Sequence, residues 1–101
     1  MKKILLVCSA GMSTSLLVTK MEAAAKAKGI EVSIEAVAEA DAKNKIDDVD
    51  VLLLGPQVRF LLKKFQDLTA GKGLPVEVID TIAYGTMNGE KVLNRALELI
   101  G

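Results

Sequence analysis

The fold of this chain is indicated most clearly by the stretch Ile4-Leu5-Leu6-Val7-Cys8-Ser9-Ala10-Gly11-Met12-Ser13-Thr14-Ser15. An apolar run of strand length ends at a cysteine and is followed by a small polar segment. A continuous apolar run is typical of a central parallel strand covered on both faces. The helical period that follows the polar segment predicts a helix close behind Cys8, as in a βαβ unit.

The same alternation of strand-like and helical stretches continues along the chain. We predict strands at Lys3 to Val7, Glu31 to Val37, Val49 to Leu54 and Val76 to Ile79. Helices are predicted at Ser13 to Lys28, Val58 to Thr69 and Asn88 to Ile100, whereas Ala38 to Ile46 is left open as a short helical turn or a loop. The pattern indicates an α/β protein with a parallel sheet.

The order of the strands follows from their hydrophobicity and from the right-handed crossovers that connect parallel strands. The two most apolar strands, the first and the third, belong in the middle, which gives the order 2-1-3-4 with helices on both faces. In open α/β sheets, ligands bind beyond the carboxyl ends of the strands where the chain direction switches. Two loops are predicted to meet there, Cys8 to Ser15 and Gly55-Pro56-Gln57.

Composition narrows the class of protein. The 101 residues, 50% of them hydrophobic, suit one domain spanning residues 1–101. Thirteen basic residues balance thirteen acidic ones, so nothing favours binding to nucleic acid or lipid headgroups. No histidine and a single cysteine exclude an internal disulfide, an ordinary zinc site and a Cys-His nucleophile pair. No apolar run is long enough to cross a bilayer, so we expect a cytoplasmic protein.

The segment after Cys8 has the parts of an anion-binding loop. Gly11 admits a close backbone approach, and Ser9, Ser13, Thr14 and Ser15 supply hydroxyl groups. The start of a helix stabilises negative charge, so it favours a thiolate able to hold a phosphoryl group. Two plainer interpretations remain: Ser13 or Thr14 caps the helix, and Cys8 is a small buried hydrophobic residue.

One residue that a cysteine phosphatase needs is missing. In a Cys-x5-Arg phosphate loop the arginine would stand at position 14, which is Thr14. Without that guanidinium the loop should stabilise the transition state of hydrolysis less. A thiophosphate ester at Cys8 should then last long enough to transfer its phosphoryl group to an acceptor. Arg59 and Asp80 are candidates for assisting phosphoryl transfer. The alternative for Arg59 is a solvated side chain on a helix surface, and the alternative for Asp80 is the cap of a turn.

Two motifs carry a resemblance to a known family. Cys8-Ser-Ala-Gly-Met-Ser-Thr-Ser-Leu-Leu17 and Leu54-Gly-Pro-Gln57 resemble the IIB component of the sugar phosphotransferase system, in its lactose/cellobiose (N,N'-diacetylchitobiose) class. The resemblance implies a three-layer sandwich like that of low-molecular-weight tyrosine phosphatases and flavodoxin-like proteins. It implies a phosphocysteine at Cys8 and a phosphate cradle formed by the residues that follow, Ser9, Ala10, Gly11, Met12, Ser13, Thr14 and Ser15.

The resemblance also implies the partners. A phosphohistidine of a IIA protein would donate the phosphoryl group to Cys8, which would pass it to a β-linked disaccharide of the cellobiose, chitobiose or lactose class bound by the membrane permease IIC. No cofactor and no metal are expected. Because both partners must reach one sulfur, we predict an exposed loop at the permease complex, with contacts at Met12, Gln57, Val58 and Tyr84. The sugar and the oligomeric state stay open.

Two other classes of protein share this strand, loop and helix. A low-molecular-weight tyrosine phosphatase or arsenate reductase would need the absent Cys-x5-Arg motif, and would release phosphate from aryl phosphates. A flavodoxin-like or receiver-like binding module would need either bound flavin, which colours the protein yellow, or an acidic cluster at the strand ends. The first strand ends in Cys8 instead.

Overall fold

A computed structural model describes residues 1–8 and 11–101, with the backbone alone for residues 11–13. The strands are β1 Lys2–Val7, β2 Val32–Val37, β3 Val51–Leu54 and β4 Val76–Val78. They form one parallel sheet in the order β2-β1-β3-β4. The predicted order is confirmed, and β1 and β3 are neighbours.

The helices are α1 Gly11–Lys28, α2 Glu39–Ala42, α3 Leu62–Thr69, α4 Thr81–Gly85 and α5 Gly89–Ile100, with a 3-10 helix at Pro56–Leu61. The prediction of a regular helix from Val58 is wrong, because the backbone kinks there at φ −119° and ψ 25°. The short helix α4 was not predicted, since five residues carry too little periodicity. The segment Ala38 to Ile46, for which the sequence allowed a short helical turn or a loop, contains α2.

The alternation of side chains along β1 builds a core on each face of the sheet. Ile4 and Leu6 pack with α1, α4 and α5, whereas Leu5 and Val7 pack with α2, the 3-10 helix and α3. Burying one such aliphatic side chain contributes roughly 1.5–3 kcal/mol. Helical spacing places Leu68 on the apolar face of α3 with Leu61 and Phe65, yet Leu68 is 43% exposed near the end of the helix.

Two glycines set the position of α1. Gly29, at φ +69°, ends the helix in the left-handed conformation that favours glycine, as its position predicts. Gly89 begins α5 against α1, and a Cβ atom there would lie 2.4 Å from the carbonyl carbon of Lys20. The two helices therefore approach more closely than any larger residue at position 89 would allow.

Across the part of the chain that the structure describes, no helix combines the length and the apolar character needed to cross a membrane.

Candidate functional site

Cys8 follows β1 at the carboxyl end of the sheet, between the two neighbouring strands. Its backbone N–H donates to the carbonyl oxygen of Val37 at 3.1 Å. On the other side, the N–H of Gly55 donates to the carbonyl oxygen of Val7 at 2.9 Å. Hydrogen bonding thus continues past the end of β1 on both sides, which fixes the backbone at Cys8 beside the Gly55-Pro56-Gln57 loop.

The thiol of Cys8 is free and buried, with 3% of the residue exposed. The prediction that the sulfur lies in an open, exposed loop is therefore wrong for Cys8 in this conformation. The physical reason is its position directly after the central strand β1, whose residues Ile4 to Val7 are all buried. The backbone of Cys8 is also still hydrogen-bonded to Val37 at the end of β2.

The predicted phosphate cradle is described only in part. Ser9 and Ala10 lie outside the described residues, as do the side chains of Met12 and Ser13. Helix α1 begins at Gly11, so the N–H groups of its first turn lie at the end of the helix nearest Cys8. The anion-binding role of this segment and the contact at Met12 stay predictions.

Thr14 and Ser15 differ in their surroundings. Thr14 is 1% exposed, and its Oγ1 lies 3.2 Å from the hydroxyl oxygen of Tyr84. Ser15 is exposed, and its carbonyl oxygen accepts a hydrogen bond from Thr19 Oγ1 at 3.2 Å. The residue that stands where a phosphatase would carry arginine is thus a buried hydroxyl that contacts α4.

The hydroxyl of Tyr84 also receives a hydrogen bond from the second loop. Gln57 Nε2 donates to Tyr84 Oη at 3.1 Å. Sequence reasoning placed Tyr84 and Gln57 near the site as partner contacts, but it did not predict that they touch each other and Thr14. Three segments, following β1, β3 and β4, therefore meet at one phenol oxygen.

The apolar residues exposed near the site differ from those predicted. Val58 is 3% exposed and packs in the core, so its assignment as a surface contact is wrong. Val58 is buried because the 3-10 helix turns its side chain inward. The same turn leaves Phe60 75% exposed. Ile82 on α4 is 73% exposed. Phe60 could have been found from the sequence, because it falls outside the apolar stripe of Leu61 and Phe65.

The structure gives Arg59 and Asp80 separate surroundings. Arg59 is exposed on the 3-10 helix and forms no ion pair with any residue in the described ranges. Asp80 caps α4, because its Oδ2 accepts from the N–H of Ala83 at 2.9 Å. Its carboxylate also lies 3.8 Å from Lys91 Nζ. The capping interpretation of Asp80 is confirmed.

An ion pair with two hydrogen bonds lies at β4 rather than at Cys8. Arg95 Nε and Nη2 each donate to a carboxylate oxygen of Glu77 at 2.7 Å. These hydrogen bonds hold the pKa of Glu77 below its usual range. A groove of about 530 Å³ runs past this pair, and Cys8 is not among its lining residues. The described residues contain no group of three or more His, Cys, Asp or Glu side chains placed to hold a metal ion.

Known proteins resemble this chain along nearly all of its length. It is 48% identical to the oligo-beta-mannoside-specific EIIB component of Bacillus subtilis (strain 168), covering 99% of this chain and 97% of the relative. It is 52% identical to a cellobiose-specific phosphotransferase IIB component from Borrelia burgdorferi, with a TM-score of 0.82 over 98% of this chain and 91% of that one.

A more distant structure shares the fold. The lactose-specific IIB component domain from Streptococcus pneumoniae is 19% identical, with a TM-score of 0.86 over 96% of this chain and 95% of that one. The family model described as "PTS system, Lactose/Cellobiose specific IIB subunit" matches residues 3–95. The chain therefore belongs to the family of lactose/cellobiose-specific IIB subunits of the sugar phosphotransferase system.

Proposed function

We propose that Cys8 carries a phosphoryl group from a IIA protein to a sugar held by the membrane permease IIC. IIB components are phosphotransferases of the sugar phosphotransferase system, and this chain is one of them. The observation that supports Cys8 as the carrier is its position at the carboxyl end of β1, beside the start of α1 and the Gly55 loop. It is also the chain's one cysteine, and the chain has no histidine.

Each transfer step balances with the groups that this proposal names. The Cys8 thiolate attacks the phosphorus of a phosphohistidine, so an S–P bond forms, the N–P bond breaks, and the imidazole keeps the electron pair. A sugar hydroxyl then attacks the same phosphorus, the S–P bond breaks, and the thiolate is restored. The hydroxyl proton goes to a base of the permease. Such transfers depend mainly on alignment and charge stabilisation, which the backbone N–H groups of residues 9–15 would supply.

The burial of Cys8 sets a condition on this proposal. A sulfur in a residue that is 3% exposed cannot be reached by a donor histidine. Transfer therefore takes place in a conformation in which the sulfur is more open than in this structure. Alkylation of the native thiol should accordingly be slower than alkylation of the same thiol in urea, yet it should go to completion.

The partner surface proposed here differs from the one predicted by sequence. Phe60 and Ile82 follow β3 and β4 directly and expose most of their apolar surface at the same end of the sheet as Cys8. Aromatic and aliphatic side chains of this kind are enriched at the centres of protein interfaces. With Gln57, they form the proposed surface for the IIA protein, and Met12 and Tyr84 stay proposed contacts.

The names of the relatives support a class of sugar. They are specific for oligo-beta-mannosides, for cellobiose and for galactose, and the matching family model is described as lactose/cellobiose-specific. We propose a β-linked disaccharide of the cellobiose, chitobiose or lactose class as the final acceptor. Growth and uptake on each sugar, in cells with and without this chain, would test that choice.

The experiment that tests the carrier role uses phosphoenolpyruvate, the general phosphotransferase proteins and a IIA protein of this class. We expect one phosphoryl group per chain, mapped by mass spectrometry to Cys8, and none on a Cys8→Ser variant. The control is the same mixture without IIA, and the thermal unfolding of the variant shows that it folds. Phosphate on the Cys8→Ser variant, or on another residue of the wild type, would contradict the proposal.

No observation favours a phosphatase. Thr14 stands where the arginine of such an enzyme would lie, and its hydroxyl contacts Tyr84. The Asp80 carboxylate is held by the start of α4. We therefore expect no release of phosphate from aryl phosphates.

A further inference from the structure

We propose that Tyr84 is a positioning residue that fixes the two segments beside Cys8 relative to each other. Its hydroxyl lies 3.2 Å from Thr14 Oγ1 and accepts a hydrogen bond from Gln57 Nε2 at 3.1 Å. The proposal rests on the proposed role of Cys8 and adds to it the residue that holds the surrounding geometry. Tyr84 itself does not need to touch the phosphoryl group.

The two contacts join parts of the chain that are far apart in sequence. Thr14 is in the first turns of α1, which follows β1, and Gln57 is in the 3-10 helix, which follows β3. The contacts span 70 and 27 residues. Cys8 stands just before α1 in the chain, and β1, which it follows, pairs with β3, the strand that leads into the Gly55-Pro56-Gln57 loop. One phenol oxygen therefore links the two segments that lie next to Cys8.

The Gln57 side chain lies against the backbone of Gly55. A Cβ atom at position 55 would lie 2.6 Å from Gln57 Oε1, so the amide folds back over the glycine. Gly55 is itself attached to β1 through the hydrogen bond to the Val7 carbonyl oxygen. The amide of Gln57 is thus held between a backbone fixed beside Cys8 and the hydroxyl of Tyr84.

Tyr84 has a rigid support of its own. Helix α4 is capped by Asp80, whose side chain accepts from Ala83 N at 2.9 Å, and the N–H of Tyr84 donates to the carbonyl oxygen of Asp80 at 2.9 Å. Ala83 is buried in the core. The phenol therefore extends from an anchored helix, and Thr14, which is buried, meets it from the other side.

The test compares Tyr84→Phe with Thr86→Val. The first variant keeps the ring and removes the bridging hydroxyl. The second removes a hydroxyl from the end of the same helix, where Thr86 Oγ1 donates to the Ile82 carbonyl oxygen at 2.8 Å. For transfer from phosphorylated IIA, we expect Tyr84→Phe to lower kcat about tenfold, because small misplacements near a reacting atom are costly, with KM almost unchanged. We expect Thr86→Val to match the wild type.

Two further measurements distinguish positioning from general stability. Tyr84→Phe should alkylate faster at Cys8 with iodoacetamide, about threefold or more, under conditions where thermal unfolding shows both proteins fully folded. In combination with Thr14→Val, it should lower kcat no further than Tyr84→Phe alone, because both changes break the same contact. An unchanged kcat, an equal loss in Thr86→Val, or multiplicative losses in the double variant would overturn the proposal.

Failure of the carrier role would be seen separately. If wild-type Cys8 accepts no phosphoryl group, the proposed function fails, and the alkylation rates alone decide the role of Tyr84. A faster rate in Tyr84→Phe, and not in Thr86→Val, would support the control of this geometry by the Tyr84 hydroxyl. Equal rates in all three proteins would overturn it.

Discussion

The hydrogen bonds that join neighbouring segments differ between the two ends of the parallel sheet. At the amino end, the contacts are charged: the N–H of Lys3 donates to Asp50 Oδ2 at 2.8 Å, and Lys72 pairs with Asp47. At the carboxyl end, the contacts between Thr14, Tyr84 and Gln57 are neutral, and the charged pair of Asp80 with Lys91, at 3.8 Å, stands at the start of α4.

Among the described residues, the exposed large apolar side chains include Met1 and Leu68 as well as two at the carboxyl end. Phe60 and Ile82, each about three-quarters exposed, lie at the carboxyl end on the segments that follow β3 and β4. Charged side chains are depleted in the centres of protein interfaces, where aromatic and aliphatic residues dominate. The carboxyl end thus offers the surface proposed for a partner, whereas segments at the amino end are joined by the contacts of Asp50 and Asp47.

The largest effect is expected from charges placed on the apolar surface of the carboxyl end. Phe60→Asp combined with Ile82→Asp should raise the KM for phosphorylated IIA about tenfold or more, a cost typical of losing buried interface anchors. Since both side chains are exposed in the free protein, its thermal unfolding should change little. Initial rates over a range of IIA concentrations separate KM from kcat.

The matched control for that prediction is Leu68→Asp. Leu68 is also an exposed apolar residue, but it lies near the end of α3, where the chain returns toward the amino end of the sheet. Its KM for IIA should equal that of the wild type. Equal increases in both proteins would show that the ends of the sheet do not differ in partner binding.

A smaller effect is expected from a substitution at the amino end of the sheet. It should change the free energy of unfolding and leave phosphoryl transfer unchanged. Asp50→Ala removes the acceptor of the Lys3 N–H and should cost about 1 kcal/mol of unfolding free energy. Asp50→Asn keeps an acceptor oxygen and should cost less. Urea unfolding measures both variants, and phosphoryl transfer at a temperature where both are folded should match the wild type. A loss of transfer in folded Asp50→Ala would show that the amino end of the sheet also affects phosphoryl transfer.

The smallest effect is expected at the Glu77–Arg95 pair, between the two ends. Glu77→Gln should cost less than about 1 kcal/mol at neutral pH, since the pair is partly exposed. Arg95 lowers the pKa of Glu77 in the folded state. The stabilisation is therefore complete above the ordinary glutamate pKa of about 4.3, and is lost as the pH falls through the lower folded-state pKa.

Urea unfolding of the wild type and of Glu77→Gln, at a series of pH values, measures this difference. The difference in unfolding free energy between the two proteins should fall to zero in acid. Glu22→Gln is the control, because Glu22 is exposed on α1 and forms no ion pair with a residue of the described chain. If Glu77→Gln and Glu22→Gln show the same pH dependence of unfolding free energy, the Glu77–Arg95 pair is not the cause of the difference.

Local pattern was enough to predict the strands, the long helices and the order of the sheet. The apolar run at Ile4 to Val7 and its counterpart before Gly55 could only be buried in the centre of a parallel sheet, so β1 and β3 had to be neighbours. Gly29 ended α1 where it was predicted. The start of α3 and the existence of α4 were missed, because a 3-10 turn and a five-residue helix depend on contacts more than on periodicity.

The sequence by itself determined where the single thiol stands: after a central strand, before a helix, and without the arginine of a phosphatase. Only the tertiary structure decided that Cys8 is buried, that Val58 faces inward, and that Phe60 faces outward. It also decided that Thr14 and Gln57 meet at Tyr84. The physical reason is distance along the chain. Hydrophobic periodicity reports on neighbours within a few residues, whereas these contacts join segments up to 70 residues apart that only the folded sheet brings together.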